Sequence, residues 1–451
     1  MGVVKAGKYW YNSKVVYSVH LKMITYYMLY KTAVSEGYHM ATVRPFCAVR
    51  PRQDIASRVA ALPYDVYNRA EAKAETIREP MSFLCIDRAE TQLADDVDTY
   101  DPRVYEKARS LMKKRIDDNT FVADRDPCYY IYELVMDGRS QTGIVGCASI
   151  DDYTAGVIKK HENTRADKEA DRIRHVDKLS AQTGPIFLAY RRREDIATVI
   201  QRIKKEKPIY DFTAPDGIVH RVWIIREEAD IKTIANAFDD TKEIYIADGH
   251  HRCASAVKAG LNRREAHPAF DGSEEFNYFL SVLFADDELL IMDYNRVVKD
   301  LNGLSSAEVL DALGKVGTLT GEDAAYKPEA KGNVGVFLDG KWYRLKFFDE
   351  LIPDDPVEGL DVSVLQKNVL EPVFGISDPK TDKRIDFVGG IRGLAELEKR
   401  VNTDCAIAFS MYPTSIKELF AVADANLLMP PKSTWCDPKL RSGIFIHEIE
   451  P

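Results

Sequence analysis

The chain has 451 residues, 45% of them hydrophobic and 29% charged, with a formal net charge of −9. That balance is ordinary for a globular protein of two or three domains, or one elaborated domain, and it argues against a broad nucleic-acid-binding surface. No run of about 18 apolar residues is present to span a membrane. Seven cysteines lie at 47, 85, 128, 147, 253, 405 and 436, none in a Cys-x-x-Cys pair. They fit reduced thiols in a cytoplasmic protein, not a disulfide frame or a zinc site.

Residues 1–39 are rich in Tyr and Lys. Their semi-apolar stretch 15–30 is interrupted by Ser18, His20, Lys22 and Thr25, and it lacks a signal-peptide pattern. They are expected to be an extension outside the fold; the alternative is an amphipathic segment that docks on the body or a membrane surface. Ordered elements begin near Met40. In a first α+β segment, 40–150, an opening strand spans 41–50. It is followed by a turn and strand over 62–66, a short helix over 70–78, a buried strand over 81–87 and an amphipathic helix over 102–119. A hairpin then joins Tyr129–Met136 to 141–150 across Asp137-Gly138.

The second segment, 151–300, opens with the polar run His161-Glu162-Asn163-Thr164-Arg165. A helix over 167–182 carries Lys168, Asp171, Arg172, Arg174 and Lys178 among few apolar residues. Such polar density reads first as a solvated face, with a helix lining a polar pocket as the alternative. Strands are expected at 185–190 and 218–226, and helices at 194–205 and Glu228–Asp239. Ile244, Tyr245 and Ile246 read as a buried strand. Asp248-Gly249 is a turn, with Asp248 in a position suited to cap a helix that starts at His250 or His251.

A helix start leaves backbone N–H groups free, a site for phosphate. The helix dipole adds only about 0.3–1 kcal/mol. Hydrogen bonds to a charged group add about 1.5–3 kcal/mol each, so His250, His251 and Arg252 would matter more. Gly249 lets the backbone approach a ligand closely. The same spacing also fits a plain strand–helix turn with two surface histidines, or a metal half-site, although adjacent helical residues point about 100° apart.

Further strands follow at 276–285 and 289–298. The third segment, 301–451, begins with a helix near 305–314 and a hairpin over 333–348 across Asp339-Gly340. Helices are expected at 362–370 and 414–424, with a strand at 405–410 between them. The tail carries Met429-Pro430-Pro431-Lys432-Ser433-Thr434. Strands and helices interleave throughout, so the expected fold class is α+β with a mixed sheet.

Five motifs in this order resemble those of an uncharacterised bacterial family labelled ParB/sulfiredoxin-like. They are Arg44-Pro45-Phe46, Pro63-Tyr64-Asp65-Val66, His161-Glu162-Asn163-Thr164, Asp248-Gly249-His250-His251-Arg252 and Met429-Pro430-Pro431-Lys432-Ser433-Thr434. The likeness runs from about Ala41 to the end. It implies a nucleotide-binding core, here 151–300, with elaborations. The superfamily's free serine kinases carry a similar Asp-Gly-His-His-Arg turn and phosphorylate L-serine with ADP or ATP, and this family is often associated with serine biosynthesis. The resemblance therefore implies a phosphotransferase acting on L-serine or a related small metabolite, with Mg²⁺.

On that reading, Gly249, His250, His251 and Arg252 hold the nucleotide phosphates, with Lys432, Ser433 and Thr434 adding contacts. Glu162 is the base, His251 and Asp248 are catalytic, and Asp248 holds a Mg²⁺ water. His161, Asn163, Thr164, Lys168 and Arg172 line the substrate pocket. A phosphoserine phosphatase-like hydrolase using the same pocket, and a non-catalytic ParB-like nucleotide-binding regulator, are the alternatives. His250 stands where sulfiredoxin carries its catalytic Cys, which argues against sulfinic acid reduction.

Overall fold

A computed structural model describes residues 40–450 except Arg165, with no side chains described for 166–168. The expectations for residues 1–39 and for the Lys168 side chain fall outside the described residues. The α+β class holds. The chain builds two large sheets. The first is mixed and nine-stranded: β1 (Val43–Arg44), β2 (Tyr129–Met136), β3 (Arg139–Ser149), β4 (Ile158–Lys159), β5 (Ile186–Tyr190), β6 (Tyr210–Thr213), β7 (Val219–Ile225), β8 (Ile244–Asp248) and β9 (Tyr278–Ala285). Its order is β4-β8-β5-β9-β3-β2-β7-β6, with β1 paired to the far end of β3. β8 runs parallel to β4, and β9 parallel to β5; the other pairings are antiparallel. This sheet takes strands from both sides of residue 150, so the first two expected segments share it.

The second sheet is antiparallel: β10 (Tyr294–Val298), β11 (Gly317–Glu322), β12 (Asn333–Leu338), β13 (Lys341–Phe347), β14 (Ile385–Gly389) and β15 (Ile407–Ser410), in the order β11-β13-β12-β15-β10-β14. It lies wholly within the third segment apart from β10.

Strand β8 explains how the sheet joins two cores. Its side chains alternate across the pleat. Ile244 and Ile246 enter a core with Ile234 and Phe238 of helix α3 (Glu228–Asp239) and Cys253, Ala256 and Val257 of helix α4 (His250–Ala266). Tyr245 and Ala247 enter the opposite core, which is continuous with the inner face of the second sheet through Val336, Leu345 and Phe409. The Tyr245 ring stacks on Phe420 of helix α5 (Ile416–Asp424) at 3.7 Å between centroids, and its hydroxyl donates to Asp424 at 2.7 Å. A third core lies under helix α1 (Pro102–Asp117), where Val104, Ala108 and Met112 meet Phe83, Leu84 and Ile86.

Two local expectations change. Residues 81–87 are buried as expected but close into a single helical turn, Leu84–Asp87, packed under α1. Their unbroken apolar run fits a buried strand and a buried helical turn equally well. Tyr64–Val66 is likewise a 3₁₀ turn, not a strand. All seven cysteines are free thiols, as their dispersal predicts.

The C-terminal segment returns to the first sheet. Met429 N–H donates to the His161 carbonyl (2.8 Å), Ser442 exchanges backbone hydrogen bonds with Ala61, Gly443 donates to Thr183 (3.0 Å), and Ile446 exchanges bonds with Val49. This strap runs past the end of β8, where the site lies.

Candidate functional site

Strand β8 ends at Asp248 and α4 begins at His250. The turn between them depends on Gly249, whose φ of 88° lies in the left-handed region. Gly249, not Asp248, is the helix N-cap, and no side chain caps the first turn. Asp248 instead bends back to accept the N–H of Gly249 at 2.8 Å. The N–H groups of His250, His251 and Arg252 precede the first intrahelical bond, which runs from Cys253 to the Gly249 carbonyl.

The other oxygen of Asp248 pairs with Lys439 Nζ at 2.8 Å. Burial pushes the Asp248 carboxyl up, but Lys439 and Arg252 outweigh it and hold it well below the usual carboxylate range. Lys439 lies on the strap, and its ammonium also sits 4.7 Å from the centroid of the Trp435 ring.

His161 and His250 meet edge to face, with ring centroids 4.5 Å apart. Both are buried, and His161 Nδ1 and His250 Nε2 have no hydrogen-bond partner among the described residues. Burial lowers both rings, His161 to about 4 against the opposing pull of Asp248, so both are neutral at pH 7. His161 Nε2 is 3.5 Å from Thr434 Oγ1. Glu162 is half-buried; burial raises its carboxyl against the pull of Lys432, and the Asp248 charge adds to the rise. His161, Glu162, Asp248, His250, Lys432 and Thr434 therefore stand together, although the sequence separates them widely.

Other expected site residues lie elsewhere. Ser433 is buried, and its hydroxyl donates to the Pro430 carbonyl at 2.6 Å within its own turn. Thr164 donates to Glu169 at 3.0 Å, and Asn163 is exposed. Arg172 faces a separate cavity behind the turn, in which Arg252 also takes part. Helix α2 (Ala166–Leu179) is thus not a purely solvated face: Asp171, Arg172 and His175 are buried, and the pocket-lining alternative holds. Lys439 and, in that cavity, Asp87, His175 and Thr183 escaped sequence reasoning. Lys439 had one faint signal, a lysine that follows Pro438 a few residues after the Met429–Thr434 motif. Among the described residues, no three His, Cys, Asp or Glu side chains are grouped to hold a metal, and no helix is long and apolar enough to cross a membrane.

Among solved structures, the chain is similar to a free serine kinase in complex with AMP, at 14% identity and a TM-score of 0.32, covering 69% of this chain and 92% of that one. It is similar to a conserved hypothetical protein from Pyrococcus furiosus at 15% identity and a TM-score of 0.30, covering 66% and 94%. It is also similar to SbnI with C-terminal truncation from Staphylococcus aureus at 10% identity and a TM-score of 0.34, covering 65% and 82%. No curated protein matches the sequence. Residues 43–363 match the model of DUF1015, a protein family of unknown function, and the chain belongs to that family.

Proposed function

We propose that the chain is a nucleotide-dependent phosphotransferase that moves a phosphoryl group from ADP or ATP to L-serine or a related small hydroxyl metabolite. The observation that carries this reading is the uncapped first turn of α4 with Glu162, Lys432 and Lys439 grouped around it. A helix start that no side chain caps, with Lys439 on the adjoining Asp248 and Lys432 beside Glu162, suits a polyphosphate. The choice of L-serine rests on the resemblance of the Asp248–Arg252 motif to the turn of free serine kinases.

In this reading the N–H groups of His250, His251 and Arg252 take the nucleotide phosphates, and Lys432 and Thr434 close over them. The acceptor hydroxyl oxygen attacks the terminal phosphorus. Its proton passes to Glu162, whose raised carboxyl is a better base than an exposed glutamate. The bond to the leaving phosphate oxygen breaks, and AMP or ADP departs with that electron pair. His161 and His250, buried and neutral, hold the turn's inner wall. Mg²⁺ on nucleotide phosphates needs only one or two protein carboxylates; Asp248 would hold it through a bound water, and the ion would neutralise phosphate charge.

Phosphorus NMR on the purified full chain with Mg²⁺, L-serine and ADP or ATP tests the reading. Phosphoserine should form. Glu162→Gln should slow its formation by roughly 10²–10⁴-fold while nucleotide binding persists. Free phosphate from phosphoserine alone would favour the hydrolase, and nucleotide binding without turnover the regulator. Absence of nucleotide binding would sink both the transferase and the regulator.

A further inference from the structure

Behind the turn lies a cavity of about 40 Å³ faced by Tyr64, Asp87, Arg172, His175, Thr183 and Arg252. Its charges do not cancel in pairs. Arg172 is matched: Asp171 lies 2.7 Å from its Nη2, and its guanidinium stacks 3.9 Å from the centroid of the Tyr64 ring. Arg252 is not matched. Its Nη1 donates to the Pro185 carbonyl at 2.8 Å, and among the described residues no carboxylate stands within ion-pair distance of it, Asp248 acting only from farther off.

Asp87 is the converse. It is 5% exposed and accepts the Thr183 hydroxyl at 3.0 Å. Among the described residues no lysine or arginine lies within ion-pair distance of it, and Arg172 acts on it only at longer range. Its one neighbour able to carry positive charge is His175, with Nε2 3.9 Å away. Burial and then Arg172 keep that ring neutral near pH 7, with Asp87 pulling the other way.

Among the described residues, one small cavity thus holds a cation with no ion-paired anion and an anion with no ion-paired lysine or arginine. Asp87 is buried and Arg252 half-buried, and a charge withdrawn from water costs free energy unless something of opposite charge meets it. A small zwitterion meets both. We propose that this cavity binds the α-ammonium carboxylate head group of an amino acid, the carboxylate toward Arg252 and Arg172 and the ammonium toward Asp87 and Thr183. Cast as the acceptor's anchor, the site rests on the phosphotransferase reading; as an amino-acid site it does not. It would hold the backbone of the amino acid behind the turn and direct its side chain past Gly249 toward the phosphates.

The test is binding of L-serine to the full chain, followed by calorimetry or ligand-observed NMR without nucleotide. L-Serine should bind. Ethanolamine, which lacks the carboxylate, and 3-hydroxypropionate, which lacks the ammonium, should bind at least about tenfold more weakly, since each leaves one charge of the cavity unmatched. Asp87→Asn should weaken L-serine by about tenfold or more, and the nearly isosteric Thr183→Val by severalfold, with the ADP dissociation constant within about twofold of its original value. Thermal unfolding of both variants confirms that they are folded; the two analogues test the idea on the unaltered chain. No L-serine binding, equal affinity for the analogues, or unchanged L-serine affinity in both variants would overturn the proposal. Turnover with a KM for L-serine that ignores both substitutions would overturn the anchor and leave the phosphotransferase intact. Selective L-serine binding without turnover would support the amino-acid site and remove the phosphotransferase.

Discussion

His161 and His250 bury two imidazoles against each other with one ring nitrogen of each unpartnered. That arrangement has a pH consequence. Burial lowers His161 to about 4 in the folded chain, against about 6.5 when unfolded. As pH falls, the unfolded chain takes up this proton first. The stability tied to the neutral ring is therefore complete above about pH 6.5 and is lost as pH falls toward about 4. By pH 5 the loss from His161 is on the order of 2 kcal/mol. Urea unfolding at pH 7.5 and pH 5 should show this drop, and His161→Gln should shrink it; an identical drop in the variant would refute the assignment. At this scale the sequence exposed Glu162, His161 and the 248–252 turn because they form dense polar runs. It hid Lys439 and Asp87. Lys439 reaches Asp248 across 191 positions, and Asp87 is one carboxylate at the end of an apolar run. No local pattern marks either; only the fold gives them partners.

At the scale of elements, the β8–α4 junction was the most legible part of the chain. The apolar run Ile244-Tyr245-Ile246 gave the strand, and Asp248-Gly249 the turn and the start of the helix. The capping residue was misassigned, because a side-chain cap at Asp248 and a left-handed Gly249 put the same two residues in the same order. The distinction matters for the proposed binding: a side-chain cap at Asp248 would compete with a ligand for the first turn, and no side chain caps it. Gly249→Ala tests this. A left-handed alanine costs about 1–2 kcal/mol, and its Cβ would sit 3.2 Å from Arg252 Nε and Nη2. Urea unfolding should register that loss of stability, and ADP affinity should fall more than tenfold as the turn and Arg252 shift. Undiminished ADP binding in a folded variant would remove the turn from the nucleotide site. Helix α2 was harder to read. Its polar residues fit a solvated face until the cavity beneath Arg172 and His175 is known, because side-chain type alone does not say which polar face is covered.

At the scale of the whole molecule, the site is closed by a part of the chain distant from the rest of it. Met429 caps the His161 carbonyl, Thr434 approaches His161, Lys439 pairs with Asp248, and Gly443 bonds to Thr183 beside the second cavity. The strap thus touches both sides of the turn. Composition and motif order suggested three consecutive segments, yet the first sheet draws on two of them and the strap on the third. Strand pairing between distant residues is set by tertiary packing, which periodicity does not encode. If the turn holds a nucleotide and the strap lines the same site, binding should stabilise both as one unit, since a ligand that binds only the closed arrangement disfavours local opening. Hydrogen exchange of the full chain with saturating ADP should then slow at the amides of His250, His251 and Arg252 and, in parallel, at Met429, Ser442 and Gly443. The amides of β11 to β13, in the far half of the second sheet, should keep their rates. Slowing confined to the turn would mean that the strap is only structural. Equal slowing everywhere would mean that ADP stabilises the fold globally and that the strap has no special link to the site.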